Sequence, residues 1–155
     1  MFVESLFKSD AEVEELVRVF ESCELEPAQF SHGNHLAVAS VYLTKMTEHE
    51  AAKRMRSGLY KFLDAHAVDR QKYHETITVF WVKLAGNFLA TTGKGRSLAD
   101  VINELLELYG NSKLIFEYYS KELIDSDEAR LGWVEPDLKP LDFDQAESSQ
   151  TSISS

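Results

Sequence analysis

Two short stretches carry the side chains best suited to chemistry. In Phe30-Ser31-His32-Gly33-Asn34-His35-Leu36 two histidines stand three residues apart, about 60° around a helix axis, so both can face one point. In Tyr73-His74-Glu75-Thr76 a third histidine precedes an acid. A divalent metal with an open position commonly takes three nitrogen or carboxylate ligands, and His32, His35 and His74 are of the right type. Glu75 is then a fourth ligand, an acceptor for a ligating imidazole, or the general base, and so the candidate catalytic residue. Imidazole donors favour zinc, iron, nickel or copper over magnesium. The chemistry of such a centre is metal-assisted hydrolysis or oxidation. The same residues have a plainer reading, in which neutral imidazoles hydrogen-bond Tyr, Thr and backbone groups and knit two helices together. A helix N-terminus disfavours permanent cations, and neutral rings suit both readings.

Other reactive constellations are weaker. Ser31 adjoins two histidines, but no carboxylate is placed to orient a base and no Gly-x-Ser-x-Gly elbow exists. Gly93-Lys94-Gly95-Arg96-Ser97 lacks the Gly-Lys-Ser/Thr ending of a phosphate loop and reads as a surface turn. Cys23 lies between Glu21 and Glu24, whose charges oppose thiolate formation. Arg130 is the candidate for holding an anionic substrate group, although a lone arginine is more often a structural ion pair. His49, inside a capping box, and His66, near a helix end, read as structural or exposed.

The elements that must position these groups are helical. Ser9-Asp10-Ala11-Glu12 is a capping box, followed by Val13, Leu16, Val17 and Phe20 as one apolar stripe; this predicts a helix to about Cys23. Ser31 is an N-cap for a second helix through Met46, and Thr47-Glu48-His49-Glu50 opens a third. The longest periodic segment runs from Tyr73 to Thr91, with Ile77, Phe80, Trp81, Leu84 and Phe88 inward. Ser97 with Asp100 caps a fifth helix, Lys113 to Tyr119 follows, and a short turn or helix comes near Asp127–Leu131. Gly58 and Gly86 interrupt helical patterns, which points to close helix approach. No strand pattern and no internal repeat is visible. The expectation is an all-α single bundle of five to six helices, occupying residues 1–143.

Two prolines, Pro136 and Pro140, keep the stretch from Trp133 to Phe143 out of a helix. Trp133, Leu138, Leu141 and Phe143 make it too apolar for a free linker, so it is predicted to pack as an extended strap. Residues 144–155, serine-rich and without periodicity, are expected to be a mobile polar tail.

Composition narrows the function classes. Hydrophobic residues are 44% of 155, enough for a core, and one cysteine excludes an internal disulfide framework. No run approaches the roughly 18 apolar residues a membrane span requires. The net charge is −10, with residues 1–26 and 135–155 acidic and the middle balanced. Nucleic acid and anionic membrane are both disfavoured, because neither finds a dominant basic footprint. A soluble, cytoplasmic protein is expected.

Three stretches together resemble an uncharacterised family of small bacterial all-helical proteins. They are Phe30-x-His32-x-x-His35-Leu36, Tyr73-His74-Glu75-Thr76-x-Thr78-x-Phe80-Trp81, and Tyr118-Tyr119-Ser120 through Arg130 to Trp133-Val134-x-Pro136-Asp137-Leu138-x-Pro140-Leu141. The resemblance spans about residues 28–143. It implies one helical domain that includes the strap, and it draws attention to the histidines, Glu75, Arg130 and Asp137 without supplying a substrate. A strap carrying Arg130 and Asp137 over the histidine cluster is a further expectation. Three functions follow: a His/Glu pocket binding a divalent metal or small polar ligand, a non-catalytic protein-interaction module, or a metal-free small-molecule binder.

Overall fold

A computed structural model describes residues 7–143; the expected tail at 144–155 lies outside the described residues. Among the described residues seven α-helices follow one another, namely α1 (Asp10–Glu21), α2 (His32–Lys45), α3 (Glu48–Ala65), α4 (Glu75–Thr92), α5 (Leu98–Tyr109), α6 (Lys121–Ile124) and α7 (Asp127–Leu131). Three 3₁₀ turns, Pro27–Gln29, Arg70–Lys72 and Ser112–Glu117, join them. Among the described residues there is no strand, so the chain is an all-α bundle, as its periodicity predicts. No helix is long and apolar enough to cross a membrane among these residues.

Side-chain caps set the helix starts. Ser9, Ser31, Thr47 and Ser97 each accept a hydrogen bond from the backbone amide three residues on, which satisfies one of the four amides a helix start leaves open. The box at Thr47 and Glu50 closes reciprocally. At α1 the Glu12 carboxylate reaches past Ser9 to the Lys8 amide, at 2.8 Å. The ends of α1 and α3 are less conventional. Each finishes in a Schellman motif whose left-handed residue is not glycine: Cys23 (φ 65°) and Ala67 (φ 55°). The Glu24 amide donates to Val19 O at 2.9 Å, and the Val68 amide to Leu63 O at 2.9 Å. α1 therefore stops at Glu21, two residues before the apolar pattern suggests.

α2 is the axis of the bundle. Seven consecutive residues, Leu36 to Tyr42, are buried, the pattern of a helix wrapped on every side. It packs against α1, α3, α4 and α5. One part of the core joins α1, α2 and α3 around Phe20, Val38, Met55 and Phe62. The other surrounds Phe80 and Trp81 of α4 and takes in Leu105, Ile115, Tyr119 and Leu141. Gly58 is required by the first, because a Cβ there would lie 2.9 Å from Cε2 of the buried Phe20 ring. A clasp of Glu21, Tyr42 and Arg54 joins α1, α2 and α3: the Tyr42 hydroxyl donates to the Glu21 carboxylate at 2.5 Å and the Arg54 guanidinium donates to it at 3.0 Å. Asp10 supplies an acceptor to the Ala99 amide at 2.8 Å, so the start of α1 also caps the start of α5.

The segment after α7 is extended and lies on the bundle as the two prolines require. Buried Thr76 on α4 holds it twice, donating to Gly132 O at 2.7 Å and accepting from the Val134 amide at 3.2 Å. The Tyr119 hydroxyl donates to Val134 O at 2.7 Å, and Leu138 N donates to Tyr118 O at 2.9 Å. Leu141 is buried against the Phe80 side of the core.

Candidate functional site

His74 is the N-cap of α4. Its Nδ1 accepts from the Ile77 amide at 3.1 Å, and its Nε2 lies 2.7 Å from Ile124 O. Nδ1 must be bare to accept, so the ring is the neutral Nε2–H tautomer and donates to Ile124. Ile124 ends α6, where backbone carbonyls lack helical partners. A single imidazole thus joins an open amide of one helix to an open carbonyl of another.

Glu75 follows it at the first turn of α4. Arg56 on α3 grips its carboxylate with two parallel bonds, Nε to Oε1 at 2.9 Å and Nη2 to Oε2 at 2.6 Å. The Tyr73 hydroxyl donates a third at 2.6 Å. Burial opposes the charge on Glu75, but the bonds from Arg56 and Tyr73 outweigh it and hold the carboxyl below its ordinary value. Burial and the bond to Glu75 keep the Tyr73 phenol protonated well above its usual range. Glu75 is an ionised carboxylate, hydrogen-bonded at both oxygens, that ties α3 to α4.

His32 occupies the first position of α2. Its Nε2 lies 3.3 Å from Tyr109 O, the last carbonyl of α5, and its ring meets Trp81 edge-on at 4.4 Å. Burial lowers its basicity, partly offset by the Tyr109 contact. His35 lies one turn on, its ring 5.7 Å from Phe30. Among the described residues its Nε2 is sealed from solvent and has no hydrogen-bond partner. Burial, with the nearby His32 acting in the same direction, pushes the His35 pKa down to about 4. Ser31 is engaged as the cap, accepting from Asn34 N at 3.2 Å.

The four residues expected to share one pocket therefore do different work. His74 uses both ring nitrogens on backbone groups, Glu75 is held by Arg56 and Tyr73, and His32 turns to the end of α5. Among the described residues no group of three or more His, Cys, Asp or Glu is arranged to hold an ion. Arg130 reaches Asp127 at 3.3 Å on its own short helix. Asp137 binds the amide and hydroxyl of Ser120, each at 2.7 Å, so this part of the strap fixes the start of α6. The strap meets α4 at Thr76, while Arg130 and Asp137 are engaged by Asp127 and Ser120.

Arg56 and Thr76 carry more of this architecture than their sequence context suggests. Arg56 reads as part of a solvated Lys53-Arg54-Met55-Arg56 face, and nothing local announces a partner 19 residues away. Thr76 reads as a helix threonine bonded to its own backbone. Thr78 does that, donating to His74 O at 2.9 Å, whereas Thr76 reaches the strap. In comparisons with protein-family models, curated proteins and solved structures, the chain matches none.

Proposed function

We propose that this protein is a non-catalytic helical module that binds another protein. The observation that carries the reading is the exposure of large apolar side chains at and beside the strap: Leu131 is 71% and Leu138 56% exposed, while the rest of that segment is tied down. Against a reactive pocket stand the commitments of His74 and Glu75 to helix ends and to Arg56. A cytoplasmic setting and the kinship suggested by the histidine, aromatic and proline motifs belong to the same proposal, supported by composition and by those motifs alone.

Two measurements test it. Melting the tag-free protein with and without a chelator, and with added zinc, should give one unchanged Tm, while His74→Ala lowers Tm in every condition. A wild-type Tm that falls to the variant's on chelation favours the metal centre instead. Quantitative cross-linking at native expression level should yield a stoichiometric adduct with one other protein; links confined to this chain count against the module.

A second reading rests on one observation, the buried and unpartnered Nε2 of His35. A small polar ligand reaching that nitrogen would complete its hydrogen bonding, and metal-free thermal stabilisation by the compound, lost in His35→Leu, would mark it.

A further inference from the structure

The basic run Lys53-Arg54-Met55-Arg56 divides as α3 turns. Met55 enters the core and Arg56 crosses to Glu75, while Lys53 and Arg54 line an open hollow with Met46, Glu50 and Ser57. Its volume is about 440 Å³, within the range of small-molecule sites. Lys53, Arg54 and Ser57 share one stripe of the helix, because residues three and four apart are neighbours on its surface. The Lys53 and Ser57 side chains are exposed, and neither has a hydrogen-bond or ion-pair partner among the described residues. Arg54 lies over the Tyr42 ring, 5.1 Å from its centroid, and gives Glu21 a single nitrogen, Nη2, at 3.0 Å. Arg18, Arg56 and Arg70 each commit two nitrogens to one carboxylate; the Arg54 guanidinium is instead fixed in place with donors left over. The one acid of the lining, Glu50, turns Oε1 to the Thr47 amide at 3.1 Å.

We propose that this hollow binds a small-molecule phosphate monoester, with Lys53, Arg54 and Ser57 on its terminal oxygens and the ester group against the Met46 thioether. The donors select the ligand class. A carboxylate offers two oxygens in a plane, whereas a phosphate monoester offers three around a tetrahedral centre, one for each donor. Its double charge matches an ammonium and a guanidinium, the two cations that most often hold phosphate. Half-buried Met46 adds a polarisable apolar wall, which favours an ester over inorganic phosphate. The site shares no residue with the strap, so it goes beyond the protein-binding reading and does not depend on it.

The test is an NMR titration of the full chain at constant ionic strength, above the second phosphate pKa of about 6, following backbone amides and the ε-methyl groups of Met46 and Met55. The probes are phenyl phosphate, inorganic phosphate and benzoate. Phenyl phosphate should saturate, moving the Met46 methyl and the amides of residues 50–57 and leaving the buried Met55 methyl as the internal reference. Inorganic phosphate should move the same amides with affinity several-fold lower, and benzoate should bind about tenfold more weakly than the ester. Lys53→Met should weaken phenyl phosphate about tenfold and Ser57→Ala about threefold. Both side chains are exposed, and an unchanged amide spectrum away from the hollow checks that the variants are folded. Shifts that do not saturate, or that centre outside residues 46–57, overturn the site, as does equal affinity of wild type and Lys53→Met. Benzoate binding as tightly as phenyl phosphate overturns the phosphate class, and inorganic phosphate doing so overturns the contact with Met46. The protein-binding reading is decided separately, by cross-linking.

Discussion

At the scale of single residues, histidine is used here as a two-ended connector. His74 accepts with one nitrogen and donates to a carbonyl with the other. His35 and His66 depart from this, each with a buried Nε2 and no partner among the described residues, and His35 should make the fold acid-sensitive. Its folded pKa of about 4 lies below the ordinary histidine value of about 6.5. The unfolded chain therefore takes up a proton that the folded chain resists. Stability should be full above about pH 6.5, decline as pH falls toward 4, and level off there, a loss of about 3 kcal/mol for this group. Urea titrations of wild type and His35→Leu across that range should show the variant's acid limb flattened by a comparable amount; parallel limbs would show that His35 is not the titrating group. None of this was legible in the motif. Phe30-x-His32-x-x-His35 announces neutral imidazoles near a helix start, but burial of one nitrogen depends on α3 and the aromatic cluster, which the local spacing does not encode.

At the scale of elements, the serine and threonine start signals were readable, and the stops of α1 and α3 were not. Ser31, Thr47 and Ser97 cap the helices they were expected to cap, because a side-chain acceptor and three open amides are local chemistry. The ends at Ser22 and His66 are set by left-handed Cys23 and Ala67, residues that give no glycine signal. The short α6 was missed because four residues cannot establish a period. The two interior glycines separate close approach from ordinary packing. Gly58→Ala should destabilise by about 1–3 kcal/mol, since the new methyl meets a buried Phe20 ring. Gly86→Ala should stabilise by up to about 1 kcal/mol, because its Cβ finds Leu43 at an ordinary 3.5 Å and helix propensity is gained. Opposite shifts in chemical-denaturation midpoint check the pair; two stabilising shifts would contradict the packing at Gly58, and two destabilising shifts the ordinary contact at Gly86.

At the scale of the whole molecule, the strap is hydrogen-bonded into the bundle. The prolines and the apolar content of residues 133–143 were sufficient to predict a packed, non-helical segment, yet its anchor was hidden in Thr76, a residue indistinguishable in sequence from Thr78. Thr76→Val keeps the shape and removes the hydroxyl, leaving Gly132 O and Val134 N without their partner. It should cost about 1–3 kcal/mol of global stability, read by urea unfolding, with Thr78→Val costing less because its bond stays within α4. A negligible effect of Thr76→Val would mean that the strap contributes little to folding.

The burial of α2 on every side has a kinetic corollary. The amides from Leu36 to Tyr42 have no wet face through which to fray, and each neighbouring helix rests on them. Deuterium should enter there only when the entire assembly opens, so protection of this one helix is expected to report the free energy of global unfolding.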